Sequence, residues 1–122
     1  MLTKRSKIFI AGHRGLVGSS LFKVLKDKGY KNIITSSKKK LDLRNTKSVD
    51  IFFRKKKIDY VINCAAKVGG ILENKTYPTE FFIDNSLIQI NLLNASHKNK
   101  VKRVVLLGSS CIYPKVTKTP IK

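Results

Sequence analysis

The sequence is poor in cysteine, in long apolar runs and in acidic residues, and each scarcity excludes something. Its two cysteines, Cys64 and Cys111, stand far apart and match no metal-ligand spacing, so no metal site is expected. A reducing, cytoplasmic setting is the corresponding expectation. No apolar run reaches the roughly 18 residues of a membrane-spanning helix, so none is predicted. The basic start, MLTKRSKIFIAGHRG, holds too short an apolar segment for a secretory leader. Only 7 acids stand against 26 basic residues, a formal charge of +19. Such a balance often marks a nucleic-acid or anionic-surface partner. Here 21 of the 26 are lysine, and Lys, Ile and Asn together make up 42 of the 122 residues. All three use A/T-rich codons, and no nucleic-acid motif accompanies the charge, so base composition is the simpler source.

What is present is an alternation. At 122 residues with 42% hydrophobic content, the chain supports one domain with a real core. A strand is predicted over Lys7–Ala11, followed by a helix over Leu16–Lys28 that stops at Gly29. Within that helix Leu16, Val17, Leu21, Val24 and Leu25 recur at helical spacing. A short second strand spans Asn32–Thr35. An Asn45/Thr46 cap opens a second helix with Val49, Phe52 and Phe53 facing inward. YVINCAA reads as a third strand buried on both faces, with Cys64 in the core. A long helix follows Pro78, and VVLLGSS is the fourth strand. Short connections through helices require a parallel sheet with right-handed crossovers. The expected fold is therefore α/β, a Rossmann-type parallel sheet with helices on both faces, limited to its first four strands. Ligands of such sheets sit beyond the carboxyl ends of the strands. Those ends are Gly12–Arg14, Ser36–Lys38, Cys64–Gly70 and Gly108–Cys111.

Gly12, Gly15 and Gly18 form G-x-x-G-x-x-G between the first strand and its helix. The first allows a tight exit from the strand, the second close approach to a pyrophosphate, and the third helix–strand packing. No Gly-Lys-Ser/Thr follows, which excludes a P-loop. Enzymes of this fold that use NAD place an acid near the end of the second strand for the ribose 2′-hydroxyl. Here that segment is Ser36-Ser37-Lys38-Lys39-Lys40. Arg14 and Lys38 suit an adenosine 2′-phosphate instead, so the expected cofactor is NADP(H). Leu16 and Val17 complete the cofactor-facing turn, and His13 belongs to it without a catalytic role.

The stretches GHRGLVGSS, NCAAKVGGI, NKTYP and LGSSCIYPK together resemble the GDP-L-fucose synthase family, within the extended short-chain dehydrogenases. The resemblance runs from about Lys7 to the C-terminus. It implies an NADPH-dependent epimerase/reductase acting on GDP-4-keto-6-deoxy-D-mannose. By position, Ser109 matches the serine that hydrogen-bonds the substrate oxygen, and Cys111 matches the acid/base cysteine of epimerisation. Asp42 and Leu43 would lie beside the adenine, and Ala65, Ala66 and Lys67 along the ribose and near the substrate. A homodimer is implied for the full-length enzyme.

The sequence departs from that pattern in two respects. None of Tyr30, Tyr60, Tyr77 or Tyr113 has a lysine four residues later, so the Tyr-x-x-x-Lys pair is absent. His97 does not replace the family's acid/base histidine. The expectation is an N-terminal part of an NADP-binding Rossmann domain over residues 1–122, without a substrate domain and inactive alone. Two other readings stay open: a non-catalytic NADPH-binding module, and a basic nucleic-acid-binding protein.

Overall fold

The computed structural model describes residues 1–108 and Pro114. Strand and helix alternate: β1 (Ile8–Ala11), α1 (Leu16–Asp27), β2 (Ile33–Ile34), α2 (Thr46–Lys56) and β3 (Tyr60–Asn63), then α3 (Ile71–Thr76), α4 (Pro78–Lys98) and β4 (Arg103–Leu106). The strands form one parallel sheet in the order β2-β1-β3-β4. Its central strand β1 is buried along its whole length, as an apolar run between two covered faces should be.

Register sorts the side chains. Phe9, Val61 and Val104 lie in one row, Ile10, Ile62 and Val105 in the next, and successive rows point to opposite faces. On the first face Phe9 and Val61 join Val49 and Phe53 of α2 and Leu92 and Ala95 of α4 in the main core. The Phe9 ring meets Phe52 and Phe53 at centroid distances of 5.0 and 5.9 Å, tilted and edge-on, the geometry aromatic quadrupoles favour. Ile8 and Ile10 are buried outside that cluster, with α1 packed on β1 and β2. Helices therefore cover both faces, as expected for a Rossmann-type sheet.

Local chemistry sets the helix ends. Asn45 caps α2 by accepting the Ser48 N–H at 2.9 Å. Past the end of α1, Gly29 adopts φ +80°. Its N–H donates to the Lys26 carbonyl and that of Tyr30 to the Leu25 carbonyl, closing the helix in a Schellman motif.

Several expectations are corrected. β3 is shorter than YVINCAA and is fully buried on one face only, with Tyr60 and Ile62 half-buried. The strand ends because the Asn63 side chain, at 3.0 Å, takes the Ala65 N–H and turns the chain away. Cys64 consequently lies past the strand and is half-buried. Leu16, Val17 and Val24 of α1 are largely exposed, because only part of that helix lies over the sheet. β4 starts at Arg103 and ends at Leu106, earlier than the apolar run suggested. The six-residue α3 is an addition. Ser109 and Cys111 lie outside the described residues. Among the described residues, no helix is long and apolar enough to cross a membrane.

Candidate functional site

A cleft of about 810 Å³ opens at the carboxyl edge of the sheet. Its floor is the turn after β1. Gly12 adopts φ +77°, and a Cβ there would lie 2.6 Å from the backbone of Cys64 and Ala65, so only glycine lets β1 and β3 discharge side by side. Gly18 is buried under this turn against the Gly12 carbonyl. Gly15 is different, since a Cβ there would sit 3.4 Å from the Gly12 oxygen, an ordinary contact. Among the described residues nothing demands glycine at Gly15, and it lines the cleft.

The start of α1 faces the same space. Gly15 caps the helix without a side-chain acceptor, and no acid stands in the first turn. Among the described residues no protein acceptor meets the N–H groups of Leu16, Val17 or Gly18. Free N–H groups at a helix start favour an anion.

The charges around the rim are unequal. Arg44 joins two carboxylates: its Nε and Nη2 donate to Asp42 at 3.0 and 2.7 Å, and its Nη1 to both Asp84 oxygens at 3.1 Å. Lys67 Nζ stands 3.8 Å from Asp84. The Arg44 hydrogen bond holds the Asp42 carboxyl at a pKa of about 2. By contrast, Arg14 and Lys38 line the cleft without a carboxylate within ion-pair distance among the described residues. They are the cations left to meet an anionic ligand.

The wall beyond β3 is held from α4. Asn85 donates from Nδ2 to the Lys67 carbonyl at 3.0 Å and accepts the Lys67 N–H at 2.7 Å. Deeper in α4, buried Asn91 donates to the Leu43 carbonyl at 2.9 Å and accepts from Thr46 Oγ1 at 2.9 Å. One helix thus anchors the loops on both sides of the cleft. Cys64 also lines it, and burial pushes its thiol pKa up, keeping it protonated.

The structure brings Gly12, His13, Arg14, Gly15, Leu16, Val17, Lys38, Asp42, Leu43, Ala65, Ala66 and Lys67 together around this one cleft. Gly18 supports it from below. His97 is exposed on α4 and does not line it. The structure adds Arg44, Asn63, Asp84 and Asn85 to the cleft. The Asp42-x-Arg44 spacing was the available signal.

Comparison with known proteins agrees with this fold. The profile of the NAD dependent epimerase/dehydratase family matches residues 8–122. The chain is 46% identical over 121 residues to GDP-L-fucose synthase 1 of Arabidopsis thaliana, covering 99% of this chain and 38% of that protein. It is 43% identical over 117 residues to the GDP-L-fucose synthase of Escherichia coli (strain K12), covering 96% and 36%. A crystal structure of a GDP-D-glycero-L-gluco-heptose synthase from Campylobacter jejuni, solved in the presence of NADPH, superposes with a TM-score of 0.94 at 35% identity. That match covers 100% of this chain and 36% of the other. The chain therefore spans little more than a third of the length of these relatives.

Proposed function

The chain belongs to the NAD dependent epimerase/dehydratase family, and on that premise we propose that it is the N-terminal, NADP-binding part of a GDP-L-fucose synthase. The whole enzyme would epimerise and reduce GDP-4-keto-6-deoxy-D-mannose in the cytoplasm, its substrate domain lying outside these 122 residues. The observation that carries the cofactor reading is the pairing pattern at the rim. Asp42, an acid near the adenosine side, is already bound by Arg44, while Arg14 and Lys38 have no carboxylate partner among the described residues. A 2′-hydroxyl would find no free carboxylate there, whereas a 2′-phosphate would find two cations.

The cofactor, when bound, supplies the hydride of the reduction. The residues of this chain hold it: the N–H groups of Leu16 and Val17 would receive the pyrophosphate, and Gly15 would let it approach. Asp42 and Leu43 would flank the adenine, and Ala65, Ala66 and Lys67 the ribose and substrate. Ser109 would hydrogen-bond the reacting oxygen and Cys111 would move the proton of epimerisation. Both roles rest on the motif GSSCIYP alone. A row of apolar residues on α4, Ile83, Leu87 and Ile90, is 37–52% exposed and supports a homodimer of the full-length enzyme through that helix.

Isothermal calorimetry of the chain with NADPH and with NADH tests the reading. Tighter binding of NADPH is expected, and equal affinity for the two would overturn it.

A further inference from the structure

We propose that Arg44 is a positioning residue for the adenosine end of the cleft, clamping the Asp42–Leu43 wall onto α4 through Asp84. This rests on the cofactor reading above. The wall belongs to the connection between β2 and α2, so it carries no ladder hydrogen bonds of its own. Helix α4 holds it at two points, seven residues and about two helical turns apart on one face. The inner point is Asn91 on the Leu43 carbonyl. The outer point, at the rim, is Arg44 on Asp84.

The outer point needs arginine. Three guanidinium nitrogens are used, two on Asp42 and one on Asp84, and the Arg44 N–H adds a bond to Asp42 at 3.0 Å. A planar fork spans two carboxylates in fixed directions, whereas a lysine ammonium acts as a single point. Arg44 also removes a penalty. Without it, Asp42 would present an unpaired carboxylate to a ligand rich in phosphate, and Asp84 would keep only the longer Lys67 contact at 3.8 Å. The Lys67 loop has its own bracket, the two bonds to Asn85. Loss of Arg44 should therefore loosen one end of the cleft and leave the other in place.

The test titrates two half-cofactor probes into the purified chain: adenosine 2′,5′-bisphosphate and reduced nicotinamide mononucleotide. Arg44→Leu should weaken the adenosine probe about tenfold, with the nicotinamide probe unchanged within about twofold. Arg44→Lys should fail to restore the loss. Asp84→Asn, which keeps the side chain's shape, should weaken the adenosine probe about threefold. The double variant should lose no more than Arg44→Leu alone, as expected of two residues in one interaction. Amide hydrogen exchange should quicken at Arg44 and Asn45 in the variants but not at Lys67. If Arg44→Leu fails to fold, Asp84→Asn carries the same comparison. Wild-type affinity in both variants, equal losses for both probes, or strictly additive losses would overturn the clamp. Failure of the wild type to bind the adenosine probe would instead overturn the cofactor reading, and the clamp's proposed role with it.

Discussion

Gly18, in the first turn of α1, packs against the carbonyl oxygen of Gly12, so close that any Cβ would overlap it. Gly15, between them, has no such neighbour among the described residues. The two glycines should therefore fail in opposite ways. Gly18→Ala should destabilise the fold by about 1–3 kcal/mol, as overpacking does. Gly15→Ala should leave the melting temperature nearly unchanged but weaken NADPH binding, because its methyl enters the space where the pyrophosphate approaches. Thermal melts and calorimetry on both variants check this. A Gly15→Ala protein that binds NADPH like wild type would remove the ligand argument for that position.

Arg14 should discriminate between the two nicotinamide cofactors. Arg14→Ala removes a charge-assisted contact of about 1.5–3 kcal/mol, or roughly ten- to a hundredfold in NADPH affinity. NADH affinity should stay within about twofold, since that cofactor has no 2′-phosphate to lose. The readout is the ratio of the two dissociation constants, and a ratio unmoved by the substitution would show that Arg14 meets solvent only.

Acid should weaken the strand starts through Asp59. Its carboxylate accepts the Lys102 ammonium and the Lys7 N–H, each at 2.8 Å, joining the beginnings of β4 and β1 to β3. The Lys102 hydrogen bond, then that of Lys7, lowers its pKa from the ordinary 3.8. A lowered carboxylate stabilises the fold above its ordinary value and loses that contribution as pH falls through the lowered one. Asp59→Asn should cost about 1 kcal/mol at neutral pH. Denaturation curves of variant and wild type should converge as the pH drops below 3.8. A gap that persists in strong acid would place the effect in packing.

β4 should make the isolated chain associate. Among the described residues it is an edge of the sheet, with Val105 42% and Leu106 38% exposed, and an apolar edge with unpaired backbone groups recruits other strands. Sedimentation velocity at rising concentration should show self-association, reduced by Val105→Lys. A monodisperse monomer at high concentration would show that this edge is tolerated in water.

Much of this protein was decided within short stretches of chain. The alternation of apolar runs with helical periodicity is a local property, and so are the Asn45 cap, the Gly29 stop and the glycine turn. Each of these is set by the backbone preferences of a few adjacent residues, and their order along the chain was enough for a parallel, doubly covered sheet. The same order placed Gly12–Arg14, Ser36–Lys38 and Cys64–Gly70 on one edge. What could not be read locally is which polar groups meet. Arg44 and Asp84 are 40 residues apart, and Lys67 and Asn85 are 18 apart. These partners share a cleft only because α4 crosses behind both loops. The end of β3 is likewise not set locally, because the choice between continuing the ladder and turning at Asn63 depends on where the Asn63 side chain finds a donor. Burial of α1 was overestimated because an apolar stripe shows that a face can be covered, whereas the surface that covers it is set by the packed sheet. Sequence alone thus determined most of the elements and the edge on which the cleft opens. The tertiary structure alone decided which charges are paired and which remain free, because pairing depends on through-space distances of about 3 Å that separation along the chain does not encode.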